Sequence, residues 1–232
     1  MPFGLIPSVY AASPLPSLAD WEAVWHAWDI VTKGMLPAEV LLEKPIRLRN
    51  ACIFYLGHIP TFLDIQLTRT TGGVATEPRY FWEIFERGID PDVDNPEHCH
   101  AHSDIPEEWP PVAEIERYQQ QVRARLRHMY GNDGAVKDEM SRKVRRGIWV
   151  GFEHEVMHLE TLLYMMLQSD RTLPPPLSPR PVPGPDFKKM ARLARAAAVA
   201  NEWHTVPAQT ITIGIDDPET GNDVDKEFGW YV

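Results

Sequence analysis

The sequence predicts a mainly α protein, a four-helix bundle followed by the truncated start of an α+β domain. Three observations carry this expectation. Four long segments repeat their apolar residues at helical spacing, and no stretch before residue 205 alternates cleanly with period two. The run RTLPPPLSPRPVPGPDF, residues 171 to 187, then places seven prolines between the helical part and a tail of different character.

The first helix is expected over Ser17 to Gly34. Ser17 can cap it, Asp20 and Glu22 favour its dipole in the first turn, and Trp21, Trp25 and Trp28 form one apolar stripe. A second helix is expected from Pro45 or Ile46 to Thr70, ended by Gly72-Gly73, with Pro60 inside it and a kink beside His58. Glu77 to Gly88 reads as a short aromatic-rich helix, followed by the acidic loop DPDVDNPEHCHAHSD. Pro110-Pro111 open a third long helix that runs to Tyr130 before Gly131-Asn132. Asp138 to Ser169 is the fourth.

Beyond the prolines, Lys188 to Asn201 reads as a short helix, QTITIGID alternates as a strand, and DDPETGND is turn chemistry. A tail this short cannot bury a core of its own. The expected organisation is therefore an N-terminal extension (1–16), the bundle (17–170), a proline-rich linker with a short helix (171–200), and the incomplete start of a β-rich domain (201–232).

Composition narrows the function classes. Hydrophobic residues are 44% and charged residues 24% of the chain, which excludes a mainly disordered protein. No apolar run reaches the roughly 18–20 residues of a membrane span, and the opening MPFGLIPSVYAASPLPSL lacks a basic n-region, so neither a membrane protein nor a signal peptide is expected. The only cysteines, Cys52 and Cys99, form no C-x-x-C, and a reducing, cytoplasmic setting fits best. A net charge of −10 argues against nucleic acid as a partner.

The chemistry concentrates on the fourth long helix, in Gly151-Phe152-Glu153-His154-Glu155-Val156-Met157-His158. His154 and His158 are four residues apart, so both imidazoles project from one helical face and can share a metal. Gly147 and Gly151 lie on the same face and are expected to leave space there. The string is also H-E-x-x-H, in which Glu155 would be the general base of a zinc protease. Against that reading, no third ligand follows on the C-terminal side: Leu159 to Tyr164 continue the helix without one. A better third ligand lies upstream, in Tyr55-Leu56-Gly57-His58-Ile59-Pro60. One histidine from one bundle helix and an i, i+4 pair from another give three nitrogens on one face of a metal and leave its other positions open. Neutral imidazoles suit Fe(II), Zn or Ni alike.

The segments FYLGHIPTFLDIQL, FERGIDPDVDNPEHCHAHSDIPEEWPPV and GFEHEVMHLETLLYMML, with the tail NEWHTVPAQTITIGIDDPE, resemble the ergothioneine sulfoxide synthases, closest to their fungal-type branch. The family joins a DinB-like helical domain to a domain of the formylglycine-generating-enzyme (sulfatase-modifying factor) type. The resemblance implies Fe(2+) bound by His58, His154 and His158, and O2-dependent C–S bond formation between hercynine and a sulfur donor. It further implies that Met157 holds a substrate-pocket position, where family members often carry Gln. The loop after Gly88 lacks clear counterparts of the arginines that bind a dipeptide donor in some bacterial members, which favours free cysteine. The assisting tyrosine and much of the pocket are expected in the C-terminal domain, beyond Val232, in cis or in trans.

Other features carry weaker expectations. His98, Cys99, His100 and His102 could form a second metal site, though a solvated acidic loop fits their flanks better. Arg142, Lys143, Arg145 and Arg146 could steer an anionic substrate. Glu160 is a candidate partner for an imidazole N–H. The competing functional readings are a DinB-type metal-dependent thiol transferase, an inactive fragment, and the zinc protease.

Overall fold

The computed structural model describes residues 15–46, 49–86, 89–91, 99–101, 106–131, 134, 140–176 and 186–210. Helix α1 (Leu18–Asp29) passes into a π-helical turn (Ile30–Met35) and, after Pro37, a 3-10 turn (Ala38–Val40). Then come α2 (Cys52–Thr71), α3 (Phe81–Phe85), a two-stranded antiparallel ladder of β1 (Ile89–Pro91) and β2 (Cys99–Ala101), α4 (Val112–Arg127), α5 (Arg142–Met166) and α6 (Phe187–Ala196). α2 is the central helix: it packs against α5, α4 and α3, while α1 packs on α5.

Local chemistry explains the boundaries. Ser17 Oγ accepts from the Asp20 backbone N–H and the Asp20 carboxylate accepts from the Ser17 N–H, a reciprocal capping box that starts α1. The tryptophan stripe is buried as its period requires, Trp21, Trp25 and Trp28 all being at most 2% exposed. Trp21 Nε1 donates to Tyr130 Oη at 2.8 Å, and Tyr130 Oη donates to the Pro16 carbonyl at 2.9 Å, which ties the entry of α1 to the end of α4. Gly72 ends α2 in the left-handed region at φ 68°, where glycine carries no Cβ penalty.

Several expectations are corrected. α2 begins at Cys52, not at Pro45 or Ile46, because the Cys52 and Ile53 N–H groups donate back to the carbonyls of Glu43 and Leu41, and Ala51 is extended. The helix continues across Pro60 as one element. The aromatic helix shrinks to five residues, since its polypeptide turns first through Pro78 and Arg79. Part of the acidic loop is a ladder pairing Ile89 with Ala101 and Pro91 with Cys99; three-residue strands are too short to print a period-two signal. Side chains of the His98–His102 cluster, residues 177–185 of the linker and most of the strand expected in the tail lie outside the described residues.

A buried carboxylate braces the loop after α2. Asp64, fully buried, accepts from Thr76 N–H, Thr76 Oγ1, Trp82 Nε1 at 2.9 Å and Arg125 Nη1 at 2.8 Å. Removing one partner of such a cluster strands the others without compensation. Asp64→Ala is expected to lower stability by about 3 kcal/mol, read by denaturant unfolding. Glu86→Ala, which breaks only the exposed pair with Arg69, is expected to cost less than about 1 kcal/mol.

Candidate metal centre

α2 and α5 carry the three histidines, and two glycines set how closely those helices pass. A Cβ on Gly151 would stand 2.7 Å from Leu63 Cδ1, and one on Gly147 2.8 Å from Thr70 Cγ2. The space expected at these glycines is therefore filled by Leu63 and Thr70 and is not left for a ligand. The glycines admit α2 against α5, and that contact brings His58 within reach of the His154/His158 pair.

His58 Nε2 lies 3.1 Å from His154 Nε2 and 3.1 Å from His158 Nε2. All three ligand nitrogens lie within 4.8 Å of one another. Protonation follows from the partners on the far side of the rings. His58 Nδ1 is 2.7 Å from the Phe85 carbonyl, which can only accept, so Nδ1 carries the proton and Nε2 offers a lone pair. Thr161 Oγ1 donates to the His158 carbonyl at 3.1 Å, which leaves its lone pairs to accept from His158 Nδ1–H at 3.3 Å. Two imidazole lone pairs thus face each other with no proton between them. A cation placed there turns repulsion into coordination. Two nitrogens about 2.1 Å from one metal at right angles are about 3.0 Å apart, so each 3.1 Å spacing from His58 suits adjacent positions on one ion.

Ring planes are held by aromatic neighbours. Phe54 stacks on His58 with centroids 4.9 Å apart, and Phe62 stacks on His154 at 3.6 Å with 13° between planes. These residues sit four before and four after His58, so helical spacing alone puts them beside it. Gly57 completes the support. A Cβ there would stand 2.4 Å from the Phe85 ring, so glycine lets Phe85 pack on α2 and present its carbonyl to His58.

Burial makes the imidazoles poor bases. Desolvation lowers His58 to about 4 and His158 to about 3, and pushes His154 well below its ordinary value, with the neighbouring imidazoles adding to the shift in His154 and His158. The set is neutral at physiological pH, the form that binds metal.

The H-E-x-x-H carboxylate does not serve this centre. Glu155 is buried on the side of α5 that faces α4, its carboxylate 4.0 Å from the Arg123 guanidinium and near Pro60, Leu63 and Gln119. Burial raises it to about 7, opposed by Arg123. It is a core group, and the protease assignment of Glu155 is corrected accordingly. Glu160 is exposed, and Thr161 occupies the place beside His158 Nδ1. The basic residues Arg142 to Arg146 open α5, about 12–18 Å along the helix from His154.

Beside His58 and His158 lies a cavity of about 310 Å³. Met157 lines it, where a substrate-pocket residue was expected, and so do Tyr55, Tyr164 and Thr161. Arg49 and Asn50 form its end before α2. Sequence reasoning missed Tyr55 and Tyr164, although Tyr55 stands three residues before His58. It had no signal for Arg49, which precedes the helix and belongs to no periodic pattern.

The chain is a helical bundle in which three imidazoles from two helices form a group that could hold a metal ion. The chain belongs to the DinB superfamily, whose pattern matches residues 20–162. It is 65% identical over 230 residues to ergothioneine biosynthesis protein 1 of Neurospora crassa, a match covering 99% of this chain and 26% of that protein. Ergothioneine biosynthesis protein 1 of Schizosaccharomyces pombe is 36% identical over 203 residues, covering 87% of this chain and 25% of that one. The chain thus spans about a quarter of the length of these curated relatives. Among the described residues no helix is long and apolar enough to cross a membrane.

Two outcomes are expected. Gly57→Ala should displace Phe85 and weaken metal binding by about 10- to 100-fold, read by competition with a chelator, because the partner that orients His58 is lost. In the metal-free chain, the imidazoles stay neutral in the fold while they titrate near 6.5 when unfolded. Unfolded chains then bind more protons between about pH 6.5 and 4, so stability falls as pH is lowered through that window. Glu155 acts oppositely, its contribution being lost as pH rises towards 7. His58→Gln should reduce the acid-side slope of unfolding free energy by about 1.4 kcal/mol per pH unit.

Proposed function

We propose that this chain is the iron-binding portion of an O2-dependent sulfoxide synthase that joins hercynine to cysteine in ergothioneine biosynthesis, in the cytoplasm. The single observation behind the proposal is the convergence of His58, His154 and His158 on one point. Membership of the DinB superfamily and the similarity to two proteins named for ergothioneine biosynthesis support the same reading. On this reading residues 17–170 are the metal-binding bundle, 171–200 connect it, and 201–232 open a second domain of the formylglycine-generating-enzyme type.

Each part of the centre has a stated task. His58, His154 and His158 offer neutral nitrogens from one side, leaving the cavity side open to substrates. Ferrous iron, when bound, supplies dioxygen chemistry and lowers the pKa of a thiol. Phe54 and Phe62 hold the imidazole planes, and the Phe85 carbonyl and Thr161 keep the Nδ1 protons turned away from the metal. Tyr55, pushed up to about 12 by burial, stays protonated at the cavity wall as an O–H donor. Met157 stands beside it as a soft, adaptable surface for a substrate. The residue that assists the reaction at the ring carbon is assigned to the further domain, in cis or in trans.

Anaerobic titration with Fe(II) tests this reading. One iron per chain is expected, lost in His58→Ala and in His154→Ala. Absence of binding, or binding indifferent to His58, would sink it. With hercynine, cysteine and air, the 232-residue chain alone is expected to form little hercynylcysteine sulfoxide. Thiol transfer that proceeds without O2 would assign the centre to a thiol transferase instead.

A further inference from the structure

The cavity beside the triad has one charged side chain in its lining, Arg49. Its other walls are aromatic, amide, hydroxyl or thioether groups and the neutral imidazoles. Among the described residues no carboxylate pairs with Arg49. The other arginines near the core differ: Arg123 meets Asp29 and Glu155, and Arg125 meets Asp64. Arg49 is half-buried and lines the cavity together with His158 and Tyr55. Asn50, buried next to it, adds an amide to the same end.

A guanidinium with no carboxylate partner among the described residues, in a cavity whose described lining holds no carboxylate, calls for an anion. Its planar fork matches a carboxylate in two parallel hydrogen bonds. We propose that Arg49, with Asn50 beside it, binds the α-carboxylate of the amino-acid-type ligand whose reactive end reaches the histidine triad. The proposal rests on the function assigned above for the identity of that ligand. Cysteine and hercynine both carry an α-carboxylate, so the shared chemistry is the carboxylate and the source is decided by experiment. On either source, Arg49 sets orientation: it anchors one end of a short molecule and thereby fixes which atom faces the triad.

Calorimetric titration of the anaerobic Fe(II)-loaded chain tests this with matched pairs. Cysteine is compared with cysteamine, hercynine with its decarboxylated trimethylamine analogue, and imidazole-4-propionate with 4-propylimidazole. The carboxylated member of at least one pair should bind about 10- to 100-fold more tightly than its partner. Arg49→Gln should erase that advantage and leave the decarboxylated ligand's affinity unchanged. Arg49→Lys, read in the same way if the glutamine variant does not fold, should keep part of it. The pair that responds identifies the source. An advantage that survives Arg49→Gln, or the absence of any advantage in the unmodified chain, overturns the proposal. If only imidazole-4-propionate responds to Arg49, the carboxylate site stands and the sulfoxide synthase reading falls. If cysteine and hercynine both bind and no pair responds to Arg49, the reverse holds.

Discussion

Close passage of α2 over α5 is the constraint on which the centre depends. It requires two positions without a Cβ, Gly147 and Gly151, seated against Thr70 and Leu63. A methyl group at either would stand 2.7 to 2.8 Å from a side chain of α2, which would have to shift. The His58 nitrogen lies 3.1 Å from each of its two partners. A glycine pair one turn apart thus acts as a distance gauge for a site it never touches.

Burial sets the electrostatics of the same region, and neighbours decide its sign. The imidazoles are neutral because solvent is excluded, which prepares them as ligands and makes the metal-free fold acid-sensitive. Glu155, adjacent to His154 in sequence, lies on a different face of α5 beside Arg123. One residue of offset turns a side chain by about 100° on a helix, enough to separate an imidazole of the triad from a core ion pair. The familiar protease string therefore describes two unrelated environments here. Arg49 offers the opposite case: a charge with no carboxylate partner among the described residues, lining the cavity rather than closing an ion pair.

Support for the imidazoles reaches further than the bundle helices. His58 is oriented by a carbonyl of the short α3, whose place on α2 depends on Gly57. The loop leading to α3 is itself anchored by Asp64 through Thr76 and Trp82. A chain of contacts runs from a buried carboxylate, through an aromatic helix, to one ring of the histidine triad. By contrast α6 buries no residue, and its Phe187, Met190 and Leu193 are exposed.

Helical periodicity, the Ser17 cap and the tryptophan stripe were legible in sequence because they depend on residues within one or two turns of each other. The i, i+4 spacing likewise made His154 and His158 a pair, and the resemblance of the surrounding motifs tied His58 to them. Tertiary structure decided what depends on distant partners. It turned Gly147 and Gly151 from expected space into a close helix contact, sent Glu155 into the core, left Glu160 exposed, and moved the start of α2 to Cys52. It also brought Arg49 to the cavity, a position no local pattern marks. The physical reason is common to all of these. Local spacing dictates which side of an element a residue occupies, whereas the identity of what faces that side is settled only when the elements pack.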